Sequence, residues 1–253
     1  MADTSDHILA SGAPEGFDAA LVLKELAKGA AAPVLHVARD DKRMAAMARA
    51  LAFFDPSAVV LSFPGWDCLP FDRVSPNAEI SAARMATLAA LAGGLTGRFI
   101  VLTTLNAATQ RVPARALLQS AAFSAVVGAR IDDAGLKQFL VRMGFVQTPT
   151  VSEPGDYALR GGIIDVWPPG ASGPVRLDLF GDLLDGARRF DPATQRTTEK
   201  LDRVELAPVS EVILDEAAIT RFRQNYRIEF GAAGTDDPLY EAVSAGRKHQ
   251  GVE

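Results

Sequence analysis

Short apolar segments alternate with segments of helical period throughout residues 1–120, and this alternation constrains the fold more than any other feature. Apolar residues recur at helical spacing from Phe17 to Leu26, whereas the run that follows Pro33 is typical of a buried strand. Strands that alternate with helices form a parallel sheet covered by helices, so we predict a parallel α/β domain here. Its strands are predicted at 34–37, 59–61 and 99–102, and two of its helices at 17–28 and 79–91. A third helix is predicted to begin after a cap at Asp40 or Asp41 and to end at Pro56.

The pattern changes beyond residue 120, where short strands and turn residues dominate. Loops rich in Gly, Pro and Asp separate the strands, which is typical of an α+β domain with hairpins. After Pro208 a further helix, at residues 216–230, begins a new segment. The other predicted elements of this region are strands at 124–127, 161–167, 175–180 and 204–206 and a helix at 132–143.

The charge balance disfavours one class of partner. The 253 residues include 26 Lys and Arg against 31 Asp and Glu, which gives a formal net charge of −5. Neither half of the chain has the cationic excess that drives non-specific binding to a phosphate backbone. DNA binding by this chain alone is therefore disfavoured.

Three further features predict a soluble, cytoplasmic protein with no membrane partner. The N-terminal sequence MADTSDHILASG is acidic and lacks the layout of a signal peptide. No apolar run approaches the roughly 18 residues that a membrane helix needs. The single cysteine, Cys68, cannot form a disulfide framework or a structural zinc site.

A parallel α/β domain raises the question of nucleotide binding, and the place to look for a site is the turn between the first strand and the first helix, SGAPEGFD at residues 11–18. A phosphate-binding loop needs the pattern Gly-x-x-x-x-Gly-Lys-Ser/Thr, whose backbone N–H groups and lysine surround the phosphates. Here Gly12 and Gly16 are one residue too close, and Pro14 lacks an N–H donor. No lysine follows Gly16, and the Asp18 carboxylate would repel phosphate. We predict either a degenerate, non-functional nucleotide loop or an ordinary glycine-rich turn, and no ATP hydrolysis.

No arrangement of residues points to catalysis or to a metal. The histidines His7, His36 and His249 have no paired spacing, and no Gly-x-Ser-x-Gly sequence is present. Adjacent carboxylates lie at helix starts and turns, where caps are expected. We therefore predict no catalytic residue, no metal site and no cofactor in this chain.

The sequence VRLDLF is predicted to form a strand with one buried face. Alternation places its three apolar residues on one face and Arg176, Asp178 and Phe180 on the other. An aromatic residue beside an arginine on an exposed strand face is typical of a protein interface, and Arg160 can join this surface. An alternative stays open, in which both arginines pair with Asp165 or Asp178 and Phe180 lies under a loop.

Many short motifs occur in a fixed order along nearly the whole chain. They are FPGWDCLPFD at 63–72, SP at 75–76, RMATL at 84–88, TTL at 103–105, QRV at 110–112, EPGDYALRGGIID at 153–165, RLDLFGD at 176–182, FD at 190–191 and QRT at 195–197. Together they resemble the N-terminal, UvrB-like module of the bacterial transcription-repair coupling factor family (Mfd). The Arg-Gly…Asp and Arg-x-x-x-Phe strands are also similar to the excision-repair protein UvrB, to which this module is related.

The resemblance implies a fold. Residues 1–120 are expected to form a degenerate helicase-like (RecA-like) parallel α/β domain that has lost its nucleotide site. Residues 121–208 are expected to form an inserted α+β domain, similar to domain 2 of UvrB, that binds UvrA. Residues 209–253 are expected to return to the first domain and to be cut short at their end.

The resemblance also implies a site. In the family, UvrA contact is attributed to two arginines and a phenylalanine on the hairpin, and by motif these fall on Arg160, Arg176 and Phe180. The implied function is recruitment of UvrA through mimicry of UvrB, which links stalled RNA polymerase to nucleotide excision repair.

The resemblance also implies properties of the full-length family protein. It is an ATP-dependent DNA translocase that uses ATP and Mg²⁺, and its C-terminal domains, which nothing here matches, bind RNA polymerase and DNA. One C-terminal domain covers the UvrA-binding surface within the same protein, so this chain without that cover is expected to bind UvrA constitutively.

Alternative functions from other classes of protein remain open. An autonomous helicase-like fragment that acts on nucleotide would show saturable ATP binding, and one that acts on DNA would bind duplex DNA tightly and with strong salt dependence. UvrB itself is disfavoured because UvrB keeps an intact phosphate-binding loop.

Overall fold

The computed structural model describes residues 11–12, 14, 16–28, 32–69, 72, 74–231 and 236–252. The chain forms two compact units, of which the first comprises Met1–Phe63 with Thr96–Thr109 and the second Pro64–Leu95 with Gln110–Glu253. Compactness does not show where one domain was inserted into another, so the boundaries expected near residues 120 and 208 stay a prediction.

The described residues form helices and strands in the following order along the chain. They are α1 (Phe17–Lys28), β1 (Val34–Ala38), α2 (Asp41–Phe54), β2 (Val60–Phe63), α3 (Ala78–Ala92), β3 (Ile100–Thr104), α4 (Leu105–Thr109), α5 (Arg115–Ser120), β4 (Phe123–Val126), α6 (Asp133–Arg142), β5 (Val146–Gln147), β6 (Asp156–Arg160), β7 (Ile163–Val166), β8 (Val175–Phe180), β9 (Leu183–Phe190), β10 (Thr197–Leu201), β11 (Arg203–Leu206), α7 (Glu216–Phe230) and α8 (Pro238–Ser244). None of these helices has the length and apolar character needed to cross a membrane.

The first unit contains a three-stranded parallel sheet in the order β1-β3-β2. Helix α2 begins where the Asp40 carboxylate accepts a hydrogen bond of 2.8 Å from the backbone N–H of Arg43, which is a standard N-terminal cap. The helical period then brings Met44, Met47 and Leu51 to one face, where they are buried with α1 and β3. The parallel α/β prediction is confirmed.

The second unit contains a six-stranded sheet in the order β10-β9-β8-β7-β6-β5, together with a two-stranded sheet, β11-β4. Neighbouring strands of the larger sheet are antiparallel except for β5 and β6, which are parallel. One face of this sheet packs against α6 through Leu136 and Leu140, which are buried with Ile164 and Leu177. The predicted α+β fold with hairpins is therefore confirmed.

Strands β5, β6, β9 and β10 were not predicted, and the sequence of the last two explains why they were missed. Strand β9 contains Gly186 and two arginines, and β10 reads TTEKL, so neither has the apolar alternation of a half-buried strand. The pairing of β8 with β9 also shifts register between Asp178 and Leu179. This bulge breaks the period of two, so Leu184 and Ala187 are both buried in the main core although they are three residues apart, whereas Phe190 is buried separately, with Val151 and Ala158.

A buried ion pair joins distant segments of the second unit. The Arg84 side chain is 0% exposed, and its Nη2 donates to Glu211 Oε2 at 3.1 Å. The same guanidinium donates to the carbonyl of Pro64 at 2.7 Å and to Gln110 Oε1 at 2.8 Å. Trp66 Nε1 also donates to Glu211, at 3.1 Å. Helix α3, the loop before it, the loop between α4 and α5 and the segment after β11 are thereby fastened to one another.

Candidate partner-binding site

Two hairpin turns bring Arg160 and Phe180, two of the predicted site residues, to one end of the six-stranded sheet. The turn between β6 and β7 begins at Gly161, with φ +61°, and the turn between β8 and β9 begins at Gly181, with φ +63°. A two-residue hairpin loop with positive φ at its first position favours glycine there. Because β7 and β8 are antiparallel, both turns lie at the same end, next to Arg160 and Phe180.

Strand β8 shows the predicted alternation. Val175 and Leu177 are buried in the core, and Leu179 packs partly against the same core. Arg176 lies on the opposite face, where it is paired in register with Asp165 of β7. The period of two therefore sets which side chains this sheet face presents.

Phe180 ends β8 as one of the most exposed apolar side chains of the second unit, with 80% of its surface accessible. The alternative in which Phe180 lies under a loop is therefore wrong. Burying a phenylalanine removes a large apolar area from water, so an exposed one at a strand end offers a partner a strong contact.

Asp165 holds both predicted arginines, as the alternative in the sequence analysis proposed. Its carboxylate is 1% exposed and accepts hydrogen bonds from Arg176 Nε at 2.7 Å and from Arg176 Nη2 at 2.9 Å. Arg160 Nη1 lies 3.6 Å from the second carboxylate oxygen. Hydrogen bonding to Asp165 raises the pKa of Arg176 above its ordinary value, so the charge of this guanidinium is permanent.

The pairing with Asp165 orients the two arginines but leaves them unequally exposed, since 18% of the Arg176 side chain is accessible against 44% of Arg160. Arg176 uses one edge of its planar guanidinium for Asp165, and its Nη1 has no hydrogen bond among the described residues. Arg176 also lies over the ring of Phe190, 4.9 Å from its centroid. Arg160 donates to the carbonyl of Pro149 at 2.7 Å, and 44% of its side chain remains exposed. Arg160 is therefore open to an acidic partner, and Arg176 offers its unbonded Nη1 group.

Sequence reasoning missed Arg188. It lies on β9 directly opposite Arg176, is 44% exposed and has its Nη1 3.0 Å from Asp178 Oδ2. Its signal in the sequence is weak because β9 lacks alternation, so the register that brings Arg188 next to Arg176 cannot be worked out from spacing. We call the side chains of Arg160, Asp165, Arg176, Asp178 and Arg188 the charged face of the sheet.

The candidate nucleotide loop belongs to the first unit. Gly12 and Gly16 both have positive φ, +72° and +85°, whereas Ala13, Glu15, His7 and any strand in residues 1–10 lie outside the described residues. Asp18 accepts a hydrogen bond of 3.1 Å from the N–H of Ala19 and lies 3.5 Å from Arg43. A carboxylate therefore occupies the start of α1, where a bound phosphate would receive backbone N–H groups.

Within the described ranges, no group of three or more His, Cys, Asp and Glu side chains is arranged to hold a metal ion. His36 lies on β1, and partial burial, opposed by the nearby Asp18 carboxylate, lowers its pKa. This environment is that of a half-buried structural histidine.

Comparison with known proteins identifies the region that contains the charged face. Residues 123–212 match the model of the UvrB interaction domain. The chain is 32% identical over 238 residues to the transcription-repair-coupling factor of Escherichia coli, which covers 94% of the chain and 20% of that protein. The corresponding protein of Haemophilus influenzae is 30% identical over 250 residues (98% of the chain, 22% of that protein), and that of Myxococcus xanthus is 36% identical over 201 residues (77% and 17%). The chain spans about a fifth of the length of these curated relatives.

Proposed function

Because this chain carries a UvrB interaction domain and is homologous, over most of its length, to the N-terminal fifth of transcription-repair-coupling factors, we propose that it recruits UvrA. The module presents to UvrA a surface that imitates the one UvrB presents. In the longer relatives the same recruitment links a stalled RNA polymerase to nucleotide excision repair in the cytoplasm.

The observation that carries this proposal is the exposed pairing of an aromatic anchor with oriented arginines. Phe180 has no role in the core, and Arg160 and Arg176 are held by one buried carboxylate, Asp165, on the neighbouring strand β7. Hot spots of protein interfaces combine such an aromatic anchor with arginines that pair with acidic partner groups. In this scheme Phe180 fills an apolar pocket of UvrA, and the two arginines orient the complex through carboxylates of UvrA.

The first unit supports recruitment without nucleotide chemistry. The loop of Gly12 and Gly16 lacks the lysine of a phosphate-binding loop, and the Asp18 carboxylate accepts a hydrogen bond from the N–H of Ala19 in the first turn of α1. We propose that ATP and Mg²⁺ serve only the motor of the full-length relatives, which also binds DNA and RNA polymerase. In those proteins a C-terminal domain is proposed to cover the UvrA-binding surface until recruitment is needed.

The test measures binding of purified UvrA to the wild-type chain, to Arg176→Ala and to Phe180→Ala. Loss of a buried anchor typically costs roughly 2–4 kcal/mol of binding, so Phe180→Ala is expected to weaken the complex by at least about 30-fold. Circular dichroism and thermal unfolding of each variant establish that it is folded.

Phe53→Ala is the matched control, because Phe53 is also 80% exposed but lies on α2 of the first unit. It is expected to bind UvrA as the wild type does. Equal binding by Phe180→Ala and Phe53→Ala would refute the anchor, and saturable binding of ATP by the wild-type chain would favour a nucleotide-binding fragment.

A further inference from the structure

The charged face continues beyond Arg176 as a row of cations that reaches the edge of the sheet. Arg176 of β8 is directly opposite Arg188 of β9, and Arg188 is directly opposite Lys200 of β10. Residues in direct opposition share a face and lie about 5 Å apart from strand to strand. Strand β10 is an edge of the six-stranded sheet, so the row ends at an open border. We call Arg176, Arg188 and Lys200 the cation row.

The positive charge of this face is only partly compensated. Asp165 contacts Arg160 and Arg176, and Asp178 contacts Arg188. Lys200 has no ion pair within the part of the chain that the structure describes. Arg160 and the cation row thus present four positive charges against two carboxylates, on a chain whose net charge is −5.

Folding alone does not account for this arrangement. Like charges in direct opposition on neighbouring strands destabilise a sheet, and here two successive pairs, Arg176 with Arg188 and Arg188 with Lys200, are both cationic. The repulsion between these cations is relieved when another molecule places carboxylates between them. The exposure of Arg188 and the unused Nη1 of Arg176 leave donors available for these carboxylates.

We infer that the UvrA-binding surface extends along the cation row from Arg176 through Arg188 to Lys200, and that UvrA meets the row with Asp or Glu side chains. The inference rests on the proposed function and adds Arg188 and Lys200 to its contacts. Phe180 anchors one end of the interface, and the row sets its orientation across β8, β9 and β10. Because the added cations are near the rim and solvent-exposed, they act chiefly on the association rate and on its dependence on salt.

The experiment measures association rate and affinity of purified UvrA for the wild-type chain, Arg188→Gln, Lys200→Gln and the double variant at several salt concentrations. Each single variant is expected to weaken binding roughly three- to tenfold, and the double variant is expected to bind with a clearly shallower salt dependence. The side chains are exposed, so thermal unfolding should change little in any of them.

Arg203→Gln is the matched control. Arg203 is an exposed arginine of β11, paired with Glu205, so its substitution changes the net charge equally but leaves the cation row intact. If Arg188→Gln and Lys200→Gln bind UvrA as Arg203→Gln does, while Phe180→Ala still loses binding, the extended surface is wrong and the recruitment function stands. Absence of binding by the folded wild-type chain would instead refute the recruitment function itself.

Discussion

At the scale of single residues, Asp165 organises the candidate site. A buried carboxylate between two arginines can be read as a structural ion pair, which removes both cations from any role in binding. The geometry favours a different interpretation, because Asp165 engages one edge of Arg176 and leaves the Nη1 group unbonded among the described residues. One acidic residue thus fixes the orientation of the guanidinium groups that we propose as partner contacts.

Asp165→Asn tests the structural part of this role. The carboxamide has nearly the same shape but no charge, so Arg176 loses a charge-assisted, bidentate pair in a largely buried place. We expect the free energy of unfolding to fall by about 2–3 kcal/mol, somewhat less than for a fully buried pair. Chemical denaturation measures this change.

Asp133→Asn serves as the comparison, because it breaks an exposed pair with Lys137 at 2.6 Å. Such surface pairs contribute roughly 0–1 kcal/mol. If both variants lose the same small amount of stability, Asp165 does not hold the arginines as described.

Aspartates that bond to nearby N–H and hydroxyl groups fasten several elements. The backbone N–H of Arg43 lowers the pKa of Asp40 below the usual 3.8 at the start of α2, and that of Thr194 does the same for Asp191 in the turn after β9. The Ser57 side chain lowers the pKa of Asp55 in the turn that follows α2. Each of these carboxylates stabilises the fold in its ionised form.

These aspartates predict how stability depends on pH. A lowered pKa in the folded state contributes stability that is complete above the ordinary value of 3.8 and is lost as the pH falls through the folded value. We therefore expect the thermal unfolding midpoint to decrease as the pH is lowered from about 5 to 3. Asp40→Asn is expected to be less stable than the wild type at pH 7 and to lose less of its stability on acidification. If the variant's stability depends on pH as that of the wild type does, the Asp40 carboxylate does not contribute to this dependence.

The sequence predicted those elements whose periodicity is undisturbed. The helix expected at 17–28 is α1, and the strand expected at 175–180 is β8 with its exposed Phe180. Strands β9 and β10 were missed because a bulge and a polar composition remove the period of two. The cation row was missed for a further reason: it depends on the register between strands, which local spacing does not encode.

At the scale of the whole molecule, the Arg84–Glu211 pair joins distant segments of the second unit. Replacing Arg84 with Met preserves much of its volume but leaves the carboxylate of Glu211, which is 9% exposed, without its main partner. Breaking a buried ion pair in this way costs about 3–5 kcal/mol, so we expect a correspondingly lower free energy of unfolding in a denaturant titration.

A double variant separates charge from packing. Arg84→Met with Glu211→Leu removes both charges, and an apolar pair of similar volume is expected to recover most of the lost stability. A loss below about 1 kcal/mol in Arg84→Met alone would show that the pair does not fasten the unit.

The Arg84–Glu211 pair also orders events during synthesis on the ribosome. Its two partners are 127 residues apart, and nearly all of the matched UvrB interaction domain lies between them. The strands of the first unit are all translated by Thr104, so that unit can fold while the rest of the chain is still being made. Arg84, by contrast, has no carboxylate to pair with until Glu211 leaves the exit tunnel, and the second unit therefore closes only when translation has passed the whole sheet that carries the cation row.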